Sequence, residues 1–470
     1  MIEDLPPDTA IEKTPIWEDV KDITSAKGKT TRWTFKAMFH TEEEDVPIGK
    51  LIHWEESRDY AGMVGSSGHV SFNIGAGDYQ YRLYPNRSHM EFTIKKVELN
   101  DDGTEKDVEI DVQRFKAVFH PDKNPVPSGN KDTLYDANTL NTMDIVKVHL
   151  EIQDRALEPL RKTMVSGTYR EVTMAKLIKG LMVGISKRLE VEGKPIVDGL
   201  EFEEPDNQAV QSEIVIPQGT LLPNLPTWCQ EKSAGVYGTA IGTYFQRYDK
   251  KNLWFVFPFY KFKRYDSSKK KLMIYNVPSG KLNSVDKTYK VEGDLVKIIS
   301  VNGTSIKDDA KNTELNKGVG FRMAHPKSIM SKPVEIKDGK AQYKRTKLLT
   351  EVAYKAREDG LNFAPFIKPG SNPFHQFSQA FPSRSQNITL AWENADPDLL
   401  YPGMPCKYMF MDHGKYVELK GTLTGVFVNR NLQGKDGTAT VYTVHCTLNI
   451  VVEYYQQELP IPKVESYGDF

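Results

Sequence analysis

The reading turns on Phe35-Lys36-Ala37-Met38-Phe39-His40, followed after five residues by Val46-Pro47-Ile48-Gly49. Side chains alternate across a strand, so Phe35, Ala37 and Phe39 share one face while Thr34, Lys36, Met38 and His40 share the other. This period of two describes a half-buried β-strand. Pro, with its fixed φ, and Gly two places on then provide a turn. The same arrangement returns as Phe115-Lys116-Ala117-Val118-Phe119-His120, five residues, then Val126-Pro127-Ser128-Gly129. Identity and spacing agree too closely for composition alone, so we read an internal duplication of a strand–loop unit. The flanks match too little for a duplicated domain. Outward from these copies, residues 91–99, 107–119 and 143–153 also read as strands, and Asn100-Asp101-Asp102-Gly103 suits a tight hairpin connection.

Composition supports a folded, multi-domain chain. Its 470 residues are 39% hydrophobic and include 22 Tyr, 21 Phe and 6 Trp, enough to fill several cores and to exclude a disordered protein. The 62 Lys and Arg nearly cancel the 63 Asp and Glu, leaving a net charge of −1 and no global field for DNA or an anionic membrane. Three cysteines, Cys229, Cys406 and Cys446, are too few for a disulfide framework. The first residues lack the basic and apolar regions of a signal peptide. The longest apolar stretch, 177–185, is broken by Lys179, Gly180 and Gly184. These features predict assembly in a reducing cytoplasm without stable membrane insertion.

One helix stands out, over 173–190, where Met174, Leu177, Ile178, Leu181, Met182, Ile185 and Leu189 form an apolar stripe behind a capping Thr173. Shorter helices are predicted over 155–162 and 225–232. Strands resume at 241–246, 253–260 and 272–277. The segment Leu253-Trp254-Phe255-Val256-Phe257-Pro258-Phe259-Tyr260 is apolar on both faces, which predicts cover on both sides, with Pro258 at its end or on an edge. Residues 300–345 read as an exposed insertion, and 387–392, 407–411, 416–429 and 438–454 as a compact β unit. The expected class is therefore mainly β with an α+β centre. Its domains are an N-terminal β domain (1–160), an α+β domain (161–290) and a C-terminal β-barrel domain (291–470).

Chemical signatures are missing. The sequence has no phosphate-binding loop, nucleophile elbow, H-E-x-x-H or EF-hand loop, and neither Gly75-Ala76-Gly77 nor Gly318-Val319-Gly320 opens a dinucleotide fold. The ten histidines are scattered; only His445 has a possible metal ligand beside it, Cys446, and strand neighbours face opposite ways. His413 and Cys406 reach His445 only through tertiary packing, and His40 and His120 read as structural residues at strand–loop joints. The runs Glu42-Glu43-Glu44-Asp45 and 201–206 read as solvated loop charge rather than a glycosidase pair. Lys261-Phe262-Lys263-Arg264-Tyr265 with Lys269-Lys270-Lys271 interleaves aromatics and charge as single-strand nucleic-acid binders do, but we read a hairpin with a charged tip at Asp266-Ser267-Ser268. Nothing here predicts a catalytic, cofactor-binding or metal residue, or a nucleic-acid partner.

Three segments resemble the baseplate hub proteins of contractile-tailed bacteriophages. The first is the helix at 173–189 with Leu157-Glu158-Pro159-Leu160-Arg161 and Tyr169-Arg170-Glu171-Val172 before it. The second runs from Ile216-Pro217-Gln218-Gly219-Thr220 through Leu225-Pro226, Gly235-Val236-Tyr237 and Gly242-Thr243-Tyr244-Phe245 to Leu253-Trp254-Phe255-Val256. The third is Leu400-Tyr401-Pro402-Gly403-Met404-Pro405 with 421–429 and 443–451. Together they cover about 145–290 and 385–455. The resemblance implies a non-enzymatic virion protein of the tail: a homotrimer between tail tube protein and central spike protein, bordered by other baseplate subunits. It also implies two tube-like β barrels per subunit, giving a pseudo-sixfold face. The packing anchors would be Phe35, Phe39, Phe115 and Phe119 in the duplicated strands and Tyr244, Trp254 and Phe255 in the central hairpin. The alternatives are a distal tail ring or tube-initiator subunit and, from another class, a tail-associated cell-wall hydrolase.

Overall fold

A computed structural model describes residues 15–25, 32–41, 44–48, 50–87, 90–100, 104–106, 111–120, 123–124, 145–191, 193–277, 287–300, 385–412, 415–436 and 439–453, plus five three-residue strands between 305 and 353. The chain is mainly β and multi-domain, with most helix in its centre. The N-terminal part comprises helix α1 (Pro15–Ser25) and strands β1 (Arg32–His40), β2 (Asp45–Ile48), β3 (Lys50–Asp59), β4 (Ser67–Gly75), β5 (Met90–Leu99), β6 (Asp111–Phe119) and β7 (Ile145–Asp154). The centre comprises α2 (Leu157–Lys162), β8 (Met164–Thr173), α3 (Met174–Ser186), β9 (Gly199–Phe202), β10 (Val210–Leu221), α4 (Leu225–Lys232), β11 (Ile241–Tyr248) and β12 (Lys251–Pro258). The remainder comprises β13 (Lys271–Asn276), β14 (Tyr289–Glu292), β15 (Leu295–Ser300), β16 (Ser385–Trp392), β17 (Pro405–Asp412), β18 (Lys415–Asp436) and β19 (Ala439–Glu453).

Strand pairing closes a first barrel in the order β18–β3–β4–β7–β6–β5–β1–β19, and β19 returns to β18. Eight strands leave an interior that side chains alone can fill. Here Phe35, Phe39, Trp54, Phe72, Phe92 and Phe115 fill it. Phe39 lies opposite Phe92, and Phe92 opposite Phe115, so one aromatic row crosses three strands. The two sequence copies, β1 and β6, thus flank β5 in a single barrel, with the fifth residue of one level with the first of the other. The second copy's turn, 126–129, lies outside the described residues.

A second barrel wall runs β15–β13–β17–β18–β19–β16, with β14 on the far side of β15. Its gap between β15 and β16 is bridged by Ser300 Oγ donating to the Ala391 carbonyl at 2.8 Å. Trp392 Nε1 donates to Thr288 Oγ1 beside it, at 3.1 Å. The two barrels share the β18–β19 hairpin. Residues 415–422 of β18 pair with β17, whereas 425–431 pair with β3. The hairpin register shifts between Leu423 and Gly425, at the point where β18 passes from one barrel to the other. A bulge bends a strand and increases its twist, which this handover requires.

The β11–β12 hairpin, with β9 parallel to β12, stands between two cores. Trp254 and Val256 face the core built around α3 and α4, while Phe255 and Phe257 face the second barrel. Both faces are covered, as the uninterrupted apolar run predicts, and Pro258 is the last residue of β12. Thr173 caps α3 by accepting from Lys176 N at 3.3 Å, and the helix ends at Ser186, short of the predicted 190.

Two local expectations need correction. The expected N-terminal β domain, 1–160, also carries a helix that the sequence reading left out: α1 places Ile16, Val20 and Ile23 against Tyr275, Ile299 and Met409 on the second barrel. An 11-residue helix is marginal alone, so docking holds it. The basic stretch is not a hairpin either. Its Arg264–Ser267 portion forms one helical turn, with the Arg264 guanidinium buried against the Gly403 carbonyl and Glu203. The expected insertion at 300–345 lies largely outside the described residues, as does His413.

Candidate assembly surface

The sequence-predicted anchors are all interior or nearly so. Phe35, Phe39, Phe115, Tyr244, Trp254 and Phe255 are buried, and Phe119 is half-buried against Tyr79 and Tyr84. They belong to two different construction tasks, the first barrel and the central wall, and only Phe119 is partly exposed. His445 is exposed and Cys446 buried, on opposite faces of β19. All three cysteines are free and buried.

Where the first barrel meets the Pro397–Leu399 turn, alternation on β3 brings Trp54, Glu56 and Arg58 inward. Glu56 accepts from Arg58 Nε at 2.7 Å and Nη2 at 3.0 Å, and from Arg430 Nη2 at 3.1 Å. Both arginines and the glutamate are almost fully buried, and the Arg430 guanidinium lies 3.7 Å over the Trp54 ring. Burial works to raise the Glu56 pKa, but the two guanidiniums outweigh it and hold the carboxyl below its ordinary value. Lys96 of β5 continues the network, reaching Asp396 at 3.1 Å across to the second barrel. These charges tie together strands of the first barrel and the turn before β17.

The outer wall of the first barrel carries histidines from distant parts of the sequence. Strand register places Asn431, His53, Ser71, His149 and His120 in one row across β18, β3, β4, β7 and the end of β6. The next row holds Asn429, Glu55, His69, Glu151 and Val118. His53 Nδ1 lies 2.7 Å from Asn431 Oδ1, and its Nε2 lies 3.2 Å from Glu55 Oε2. His69 Nδ1 is 3.8 Å from Glu55 Oε1, while its buried Nε2 has no hydrogen-bond partner. Burial lowers the His69 pKa against the pull of Glu55, and burial with nearby cations lowers that of His149 to about 4. Sequence reading missed this group because its members are brought together by strand order. The one local signal was His53-x-Glu55, the spacing that puts two side chains on one strand face. Below these rows a groove of about 630 Å³ runs past Gly68, Val118 and Phe427 to Glu158 and Lys162 of α2.

The β8–β10 ribbon offers a different surface. Among the described residues these two strands pair only with each other; they bury Val165, Ile214 and Ile216 on one side and expose Met164 and Val215 on the other, while Val210 is exposed at the ribbon's end on the Ile214 side. Those three are each 60% or more exposed. Apolar side chains on a ribbon without further strand partners suit association with another protein surface. Among the described residues, no helix is long and apolar enough to cross a membrane.

The chain matches no protein-family model and no curated protein. Among solved structures it is similar to the 43 kDa tail protein of prophage MuSo2 from Shewanella oneidensis, at 8% identity and a TM-score of 0.43. That alignment covers 89% of this chain and 98% of that one. It is also similar to the lidded Francisella PdpA–VgrG complex, at 10% identity and a TM-score of 0.41, covering 98% of this chain and 59% of that one. The half-lidded form gives 9% identity and a TM-score of 0.34 over 98% of this chain and 64% of that one.

Proposed function

We propose that this chain is a structural virion protein, the trimeric hub that joins a phage tail tube to the central spike, located in the tail baseplate after assembly in the host cytoplasm. The observation that carries this reading is a closed barrel and a second sheet built on one shared hairpin, the second sheet being read as another barrel. Three copies about a threefold axis would present six barrels, the number a hexameric tube needs to continue across a symmetry change. The β8–β10 ribbon, with Met164, Val210 and Val215 exposed, supplies a surface for contacts between subunits. Function then consists of binding, and the side chains that matter are those that fix the barrels to one another.

Electron-microscopy class averages of the purified assembly, viewed down its axis, test this reading. Six barrel densities with true threefold symmetry support the hub. Twelve barrels in a sixfold ring would instead indicate a distal tail ring or tube-initiator subunit.

A further inference from the structure

We propose that His53, Glu55 and His69 form a binding site for a single divalent transition metal, of the zinc class, on the outer wall of the first barrel. One donor atom from each residue lies within 4.8 Å of the other two. Zinc bonds of about 2.0–2.2 Å to nitrogen and oxygen imply a tetrahedral edge of roughly 3.3 Å. The His53 Nε2 to Glu55 Oε2 separation, 3.2 Å, already matches that edge. His69 Nδ1 lies 3.8 Å from the other carboxylate oxygen, Glu55 Oε1, so a side-chain rotation is needed to bring all three ligands onto one ion.

Three further features favour an ion at this place. Glu55 lies directly opposite His69 on the next strand and two residues from His53 on its own, so the barrel wall holds all three in position before binding. His53 places its second nitrogen against Asn431 Oδ1, the carbonyl-type partner that orients metal-bound histidines. When Nδ1 donates to that oxygen, the Nε2 lone pair faces the Glu55 carboxylate. That contact is favourable only with a proton or a metal cation between the two atoms. Two imidazoles with one carboxylate suit zinc better than magnesium or calcium, which take oxygen ligands. Three protein ligands leave a fourth position, and Glu55 also lines the groove beside it.

The test is calorimetric titration of chelator-stripped, full-length protein with zinc chloride, alongside visible spectra of the cobalt-loaded form. The expected result is one ion per chain with the absorption bands of tetrahedral cobalt. Binding should be lost in His69→Gln, weakened about ten- to hundredfold in Asn431→Ala, and unchanged in His445→Gln, which alters an exposed histidine elsewhere. Zinc should also raise the thermal midpoint of wild type and His445→Gln, raise that of Asn431→Ala by less, and leave that of His69→Gln unchanged. Stripped wild type that takes up no zinc would overturn the proposal. Undiminished binding in both His69→Gln and Asn431→Ala would overturn it equally. If His69→Gln fails to fold, the wild-type stoichiometry and Asn431→Ala decide.

Discussion

Glu56 illustrates how much a single side chain holds. Two buried guanidiniums depend on its carboxylate, and neither can recover bulk water if it is removed. Breaking such a network by deleting one partner costs about 3–5 kcal/mol. Glu56→Gln should lower stability by that amount in urea unfolding, and a loss under 1 kcal/mol would show that the arginines find other partners. Asp154 makes a prediction of opposite sign. Burial raises its pKa from 3.8 to about 6, even though its carboxylate accepts from Ala156 N at 2.8 Å. The folded state therefore binds this proton more tightly than the unfolded chain does. Its contribution is complete below about pH 4 and is lost as pH rises through 6. Asp154→Asn keeps an acceptor for Ala156 N, so it should stabilise the protein at pH 8, by at most about 3 kcal/mol, and leave it unchanged at pH 4. Thermal melts at the two pH values check this. Apolar residues were legible locally, Phe39 from alternation and Trp254 from a run apolar on both faces. Glu56, Arg58 and Arg430 were not, because a buried charge has no local pattern and its partners lie on another strand.

Among the elements, the β18–β19 hairpin bears most of the architecture. A side chain at Gly421 would place Cβ 2.5 Å from the Val451 carbonyl, on the paired strand itself. Gly421→Val should therefore force the hairpin apart and cost about 1–3 kcal/mol. Because both barrels contain this hairpin, tryptophan fluorescence and far-UV dichroism should report the loss in one transition. Helix α1 makes the contrasting case. Val20 is fully buried at its docking face, so Val20→Asp should release α1 to proteolysis while the barrels stay resistant. Cleavage throughout the barrels would show that α1 is needed for their folding. The elements themselves were largely legible: β1, α3, α4 and β12 follow from period and capping. Helix α1 was missed because three apolar residues over two turns are a weak signal without the surface they dock on. The turn at 264–267 was misread because a buried arginine looks, in sequence, like part of a basic patch.

At the scale of the whole molecule, barrel closure was the least legible property. No local pattern tells β18 to leave the second barrel and join β3 in the first; that follows from pairings hundreds of residues apart, such as His53 with Asn431. The duplicated strands pointed to repetition but not to its result, since both copies entered one barrel. The proposed hub makes its own demand at this scale, because a lone subunit would present two barrels and leave the β8–β10 ribbon bare. Placing a charge there, as in Val215→Asp, should weaken subunit association without lowering the melting temperature of the separated chain. The most direct measurement is the absolute mass of the purified protein by light scattering over a wide concentration range. A stable species of three times 53.4 kDa is the expected result. A hexamer, or a strict monomer at every concentration, would contradict the trimeric hub.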